Sequence, residues 1–153
     1  MDKFLEWIRN NQEHRALIDK SHKNVSTREK NAPLKEYDNT ELATYGDAVL
    51  KLALCQILWK NEKEFLTEEK KKYESDEVLV KVIARHYDIL HHLHFDKVDK
   101  NKPQDYDYRK NGYKYIATAI EACLGAMHID KNVSWNDIIE IVKEWKNLID
   151  DSI

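Results

Sequence analysis

Turn-forming residues are scarce in this chain, which has three glycines and two prolines among 153 residues. So few leave little room for the many tight turns of a sandwich or barrel, and no stretch of any length alternates in the manner of a strand. The expected class is therefore all-α. Cysteine is equally sparse. Cys55 and Cys123 lie far apart, each inside an apolar run, the pattern of reduced core thiols in an intracellular protein rather than of a disulfide framework. The longest apolar run is interrupted by Lys51 and Gln56, and the start, Met1 to Trp7, has no apolar signal core. No membrane partner is expected, and the location expected is cytoplasmic. A formal net charge of −3 argues against a nucleic-acid-coating protein, yet it permits an enzyme with a basic strip around an acidic centre. There is no glycine-rich phosphate loop, and no activated serine or cysteine nucleophile stands out.

Apolar residues make up 42 % of the chain and charged residues 35 %, enough to bury the core of one soluble helical domain over residues 1–153. Phe4, Leu5 and Ile8, then Ala16, Leu17 and Ile18, suggest two short amphipathic helices. Ser21 to Asn39 is polar and basic and reads as a long loop. A helix apolar almost all round follows, from Asn39 or Thr40 to Trp59, carrying Leu42, Tyr45, Val49, Leu52, Leu54, Ile57 and Leu58. Thr67, followed by Glu68 and Glu69, has the look of an N-cap with acids in the first turn, and Ser75 of a second one. The polar stretch from Asp96 to Asn111 reads as a loop. A second buried helix covers about Gly112 to His128. A last amphipathic helix begins at Ser134, with Asp137 in its first turn and Ile138, Ile141, Val142 and Trp145 on its apolar face. His86, His91, His92 and His94 match no recognised zinc spacing and are expected at a solvated helix end.

Two glycines lie inside the two most apolar helices, each beside a solitary carboxylate: Gly46 next to Asp47, and Gly125 one turn after Glu121. Each glycine costs about 1 kcal/mol relative to alanine in a helix, which is tolerable where another backbone must come close. Two tightly packed helices offering one acid each suggest a cation held between them. Thr40, Ala43 and Thr44 near Asp47, and Thr118 near Glu121, leave room for a hydrated ion such as Mg²⁺. Asp47 has a simpler option, an ion pair with Lys51 one turn later, and ordinary polar pairing in the core competes with the metal reading.

In order along the chain, these residues resemble the catalytic domain of the ribonuclease III family. Ala16-Leu17-Ile18-Asp19-Lys20-Ser21 is similar to its Ala-Leu-Thr-His-x-Ser opening. Asn39-Thr40-Glu41-Leu42-Ala43-Thr44-Tyr45-Gly46-Asp47-Ala48-Val49-Leu50 resembles its signature Asn-Glu-Arg-Leu-Glu-Phe-Leu-Gly-Asp-Ala-Val-Leu. Ala117 to Ala126 resembles Ala-Asp-x-x-Glu-Ala-Leu-Ile-Gly-Ala. Thr40, Ala43 and Thr118 stand where the family pattern has further acids. That reduction is similar to the bacterial mini ribonuclease III subgroup, whose members lack a separate double-stranded-RNA-binding domain.

The resemblance implies a helical endonuclease domain with two central buried helices. It implies catalytic, metal-binding roles for Asp47 and Glu121, with Mg²⁺ as the ion and Mn²⁺ as a substitute. Asp105 and Asp107 are candidates to reach in from their loop. The substrate implied is double-stranded or structured RNA, with ribosomal RNA precursors as one class, and the working form is a homodimer. The family aromatic at the dimer interface is replaced by Thr44, with Tyr45 adjacent. Lys23, Arg28, Lys30, Lys35, Arg109 and Lys110 are candidates for phosphate contact. The missing acids keep a second reading open, a catalytically inactive domain that binds RNA or assembles with a partner.

Overall fold

The computed structural model describes residues 2–18, 38–59, 65–94 and 114–152. Helix α1 (Lys3–Asn10) begins where Asp2 accepts the amide of Leu5 at 3.1 Å, and it buries Phe4, Trp7 and Ile8. The second N-terminal helix expected around Ala16 is only a 3₁₀ turn, Arg15–Leu17. It is short because its backbone is used elsewhere: Leu17 O accepts His94 N at 2.8 Å, and Ile18 O accepts Asn39 N at 2.9 Å. Ile18 and His94 form an isolated parallel bridge, and the described residues contain no named strand. The fold is all-α.

Helix α2 (Thr40–Leu58) starts at Asn39, whose side chain does not cap it. The buried Asp38 accepts Thr40 N at 2.9 Å instead. Helix α3 (Leu66–Glu74) starts one residue before the expected cap at Thr67, again without a side-chain cap, whereas Ser75 does accept Val78 N to open α4 (Asp76–Val78). The chain then winds through wider π-helical turns, Leu79–Ala84, into α5 (Arg85–Tyr87). That run ends at Asp88, whose left-handed φ of 53° turns the chain into a 3₁₀ segment, Ile89–His92. Helix α6 (Lys114–Ile129) and α7 (Trp135–Asp151) complete the fold, α7 opening on a reciprocal Ser134–Asp137 capping box.

Helix α6 is the axis of the molecule, burying ten of its residues, and its main partner is α2. The crossing is closer than side chains allow. A Cβ built on Gly46 would lie 1.6 Å from the backbone oxygen of Glu121, and one on Gly125 would lie 2.5 Å from that of Leu42. Both glycines therefore serve a backbone-on-backbone contact, and no other residue type fits. Around this pair, Phe4 packs edge-on against Trp145 and beside Tyr87, joining α1, α5 and α7 in one core. Cys123 is fully buried and Cys55 partly so, and both are free thiols.

Helix α2 departs from its sequence pattern in one respect. Tyr45 and Leu52, expected among the apolar positions of a central helix, are 41 and 53 % exposed, and Trp59 just past its end is 62 % exposed. The three recur every seven residues and form one apolar stripe, continued by the exposed Ala48 between them.

Candidate metal centre

The contact at Gly46 fixes where the acids go. Asp47 is the next residue on α2, and the carbonyl against Gly46 belongs to Glu121, so the two carboxylates meet at the edge of the crossing. Each perturbs the ionisation of the other, Asp47 raising the Glu121 carboxyl and Glu121 helping to lower that of Asp47. Asp47 is not an interior acid: its side chain is 40 % exposed and pairs with Lys51 Nζ at 2.8 Å, the local ion pair that the spacing allowed. Glu121 is the more deeply set of the two. Burial acts first on it, then the hydrogen bond and charge of Asp47, then the charge of Asp76, and together they push its carboxyl up to about 8. On Asp47, burial works against the charge, but the hydrogen bonds from Lys51 and Glu121 outweigh it and hold the carboxyl below its usual value.

With its carboxyl raised to about 8, Glu121 favours the protonated form at neutral pH, beside an Asp47 whose carboxyl is held below its usual value. A site in which one of two neighbouring acids keeps a proton is one where a divalent cation can take that proton's place. Lys51 limits the arrangement, since its ammonium neutralises part of the charge that a cation would use. Its own pKa is raised, first by the hydrogen bond to Asp47, and it also senses Glu74 and Glu121. The end of α3 and the start of α4 thus face the crossing, contributing Glu74, ion-paired with Lys70 at 3.2 Å, and Asp76.

The positions that lack acids are committed to their own helices. The Thr118 hydroxyl donates to Lys114 O at 3.2 Å, and the Thr40 carbonyl accepts the hydroxyl of Thr44, at the position of the family aromatic, at 3.5 Å. Sequence reasoning paired Lys51 with Asp47 but missed Asp76 and Glu74 as neighbours. Only the path of α3 and α4 brings them in. Lys23, Arg28, Lys30, Lys35, Arg109 and Lys110, with Asp105 and Asp107, lie outside the described residues.

The family described as Ribonuclease III domain matches residues 40–132, which contain both helices of the crossing. Two solved structures of the nuclease domain of ribonuclease III from Campylobacter jejuni share the fold, each with a TM-score of 0.64 and 20 % sequence identity. One alignment covers 95 % of this chain and 95 % of that domain, the other 100 % and 95 %. The first of these structures is described as flexible in a region involved in dimer formation. No curated protein matches the sequence.

Proposed function

The chain belongs to the Ribonuclease III domain family, and from that membership we propose that it is a divalent-metal-dependent endoribonuclease acting on double-stranded or structured RNA. The observation that carries the reading is the convergence of Asp47 and Glu121 at the glycine crossing. Two carboxylates with small neighbours suit a single Mg²⁺, which keeps most of its waters and binds through one or two protein acids plus phosphate oxygens. Mn²⁺ would suit the same donors. When bound, the ion would supply a lowered pKa for water and neutralise charge on the phosphate oxygens. Asp47 and Glu121 would hold it, Glu121 giving up its proton. Lys51 orients Asp47 and subtracts one unit of charge, so affinity should be weak. The reduced acid set agrees with the mini ribonuclease III pattern, and ribosomal RNA precursors are a reasonable substrate class.

The exposed stripe of Tyr45, Leu52 and Trp59 supports a homodimer in which α2 packs against its copy. A seven-residue apolar repeat is the seam that paired helices use. Sedimentation should show a dimer that Leu52→Glu dissociates, and a wild-type monomer at all concentrations would reject this arrangement. Among the described residues no helix is long and apolar enough to cross a membrane.

One observation favours the second reading, an inactive RNA-binding or assembly domain: Asp47 already has a cation, Lys51, at 2.8 Å. Purified protein incubated with long duplex RNA separates the two. Cleavage that requires Mg²⁺ or Mn²⁺ and disappears in Asp47→Asn, with RNA binding retained, is the outcome expected. Binding without cleavage at any metal concentration would leave the inactive domain.

A further inference from the structure

The segment after α1 is fastened to the rest of the fold through the backbone of one short turn. Ala16 O accepts the side-chain amide of the buried Asn39 at 3.3 Å, Leu17 O accepts His94 N at 2.8 Å, and Ile18 O accepts Asn39 N at 2.9 Å. Three consecutive carbonyls thus hold the residue that starts α2 and the chain just past the 3₁₀ segment Ile89–His92. The turn itself, Arg15–Leu17, is capped by His14, whose Nδ1 accepts Ala16 N at 3.0 Å from an extended backbone.

That bond fixes the state of the imidazole. An accepting Nδ1 carries no hydrogen, so the ring is neutral with its proton on Nε2. Imidazolium has a hydrogen on both nitrogens and cannot accept, so the cap and a second proton exclude each other. Two other histidines face the same stretch and lack this property. His92 Nδ1 meets Gln12 Oε1 at 3.1 Å, and His94 Nε2 meets the Gln12 carbonyl at 2.9 Å. The Gln12 amide nitrogen donates to Ile8 O, which leaves Oε1 for His92. Both partners are acceptors, so both rings donate, and donation survives protonation. Of the three, His14 alone makes a bond that acid abolishes. Water is no substitute there, because Ala16 is fully buried and its amide would become an unpaired interior donor.

The surroundings of His14 favour its neutral form. Its ring packs against Trp7, with centroids 5.2 Å apart. Burial is the first cause holding its pKa below the usual 6.5, and the neighbouring charge of Arg15 adds to it, while Asp130, just past α6, works the other way. Asp130 is itself engaged by Trp7 Nε1 at 3.1 Å and by the amide of Asn132 at 2.9 Å. Around His92 the charged and titratable groups are Asp88, His91 and, from α1, Arg9. We propose that His14 is an acid-released clasp: the proton it takes at Nδ1 expels the Ala16 amide, and the turn that holds Asn39 and His94 loosens. The folded protein binds this proton less readily than the unfolded chain does. The clasp therefore contributes fully above the ordinary imidazole value, and its contribution is lost as the pH falls below it. The device is independent of the proposed nuclease centre, and it acts on the lead into α2, the helix that carries Asp47.

Nitrogen-resolved NMR of the wild-type protein, titrated from about pH 7.5 to about pH 5 to span the imidazole range, reads the clasp directly. At the upper end His14 should show the neutral tautomer protonated at Nε2. It should titrate below the ordinary 6.5, and the amide signals of Ala16, Asn39 and His94 should shift with the same midpoint. Solvent exchange of the Asn39 amide, corrected for its intrinsic pH dependence, should quicken about fivefold across the titration, the size of a lost cap. His14→Asn offers Oδ1 in place of Nδ1 and caps without titrating. In that variant the three amides should no longer share a midpoint, and Asn39 should stay protected throughout. His14→Ala should exchange faster even at the upper pH. A wild-type His14 ring protonated at Nδ1 at neutral pH would overturn the proposal, as would Asn39 and His94 amides that respond to acid equally in His14→Asn.

Discussion

Replacing Gly46 by alanine sets two effects of opposite sign against each other. Helix propensity alone favours the variant by about 1 kcal/mol. Against that, the new Cβ would sit 1.6 Å from Glu121 O and 2.5 Å from Glu121 C, where an ordinary contact is at least 3.4 Å. Relief needs a movement of about 1.8 Å between two helix backbones, and no flexible side chain lies there to give way. Overpacking of this kind typically costs about 1–3 kcal/mol, and a backbone contact at the main helix pair belongs at the upper end. The net expectation is a loss of about 2 kcal/mol. With a slope of roughly 1–3 kcal/mol per molar urea for a domain of this size, the unfolding midpoint should fall by about 1 M or more. Gly125→Ala meets Leu42 O at 2.5 Å and should cost less, about 1–2 kcal/mol. Because the displaced carbonyl is that of Glu121, Gly46→Ala should also weaken Mg²⁺ binding. A Gly46→Ala protein as stable as wild type, or a larger loss at Gly125 than at Gly46, would refute the close crossing.

Two further predictions concern the carboxylates. Glu121 carries a carboxyl raised from 4.5 to about 8 in the fold, so the folded state holds its proton more tightly than the unfolded state across that window. Stability should therefore fall as pH rises from about 4.5 to 8, and Glu121→Gln should remove that slope. Wild type and variant should be nearly equal at pH 5. By pH 8 the variant should be more stable by about 2 kcal/mol in metal-free urea titrations, the full linkage value being roughly halved for partial exposure. Parallel pH profiles for the two proteins would show that Glu121 ionises normally. Lys51→Met should tighten Mg²⁺ or Mn²⁺ roughly tenfold by calorimetry, one charge interaction in a half-exposed site being about 1–2 kcal/mol. Loss of the exposed ion pair should cost about 0.3–0.5 kcal/mol of stability. Unchanged metal affinity would mean that Lys51 does not compete for Asp47.

What the sequence disclosed of this fold follows from the reach of each signal. The glycine crossing was legible because glycine weakens an apolar helix unless a neighbouring backbone needs the space, and Gly46 and Gly125 meet that expectation at atomic distance. The Ser134 capping box was legible because it is local, involving four consecutive residues. The second N-terminal helix was misread because Leu17 and Ile18 spend their carbonyls on His94 and Asn39, partners far away in the chain. Tyr45 and Leu52 were read as interior because composition reports how apolar a helix is, not which apolar positions a neighbour covers. At the site, the ion pair of Asp47 with Lys51 was open to a spacing argument. The approach of Asp76 to Glu121 was not, since it depends on where α4 lies against α6.

Gly46 meets Glu121 through its peptide unit. The scaffold therefore recognises that position without reading which side chain it bears, and any residue there would satisfy the notch opened by Gly46. Architecture and reactivity are in this sense separable: a variant could exchange the acid and still preserve both notches, so the glycines alone testify to shape. Persistence of an acid at 121, which the scaffold does not demand, would have to come from what that acid does.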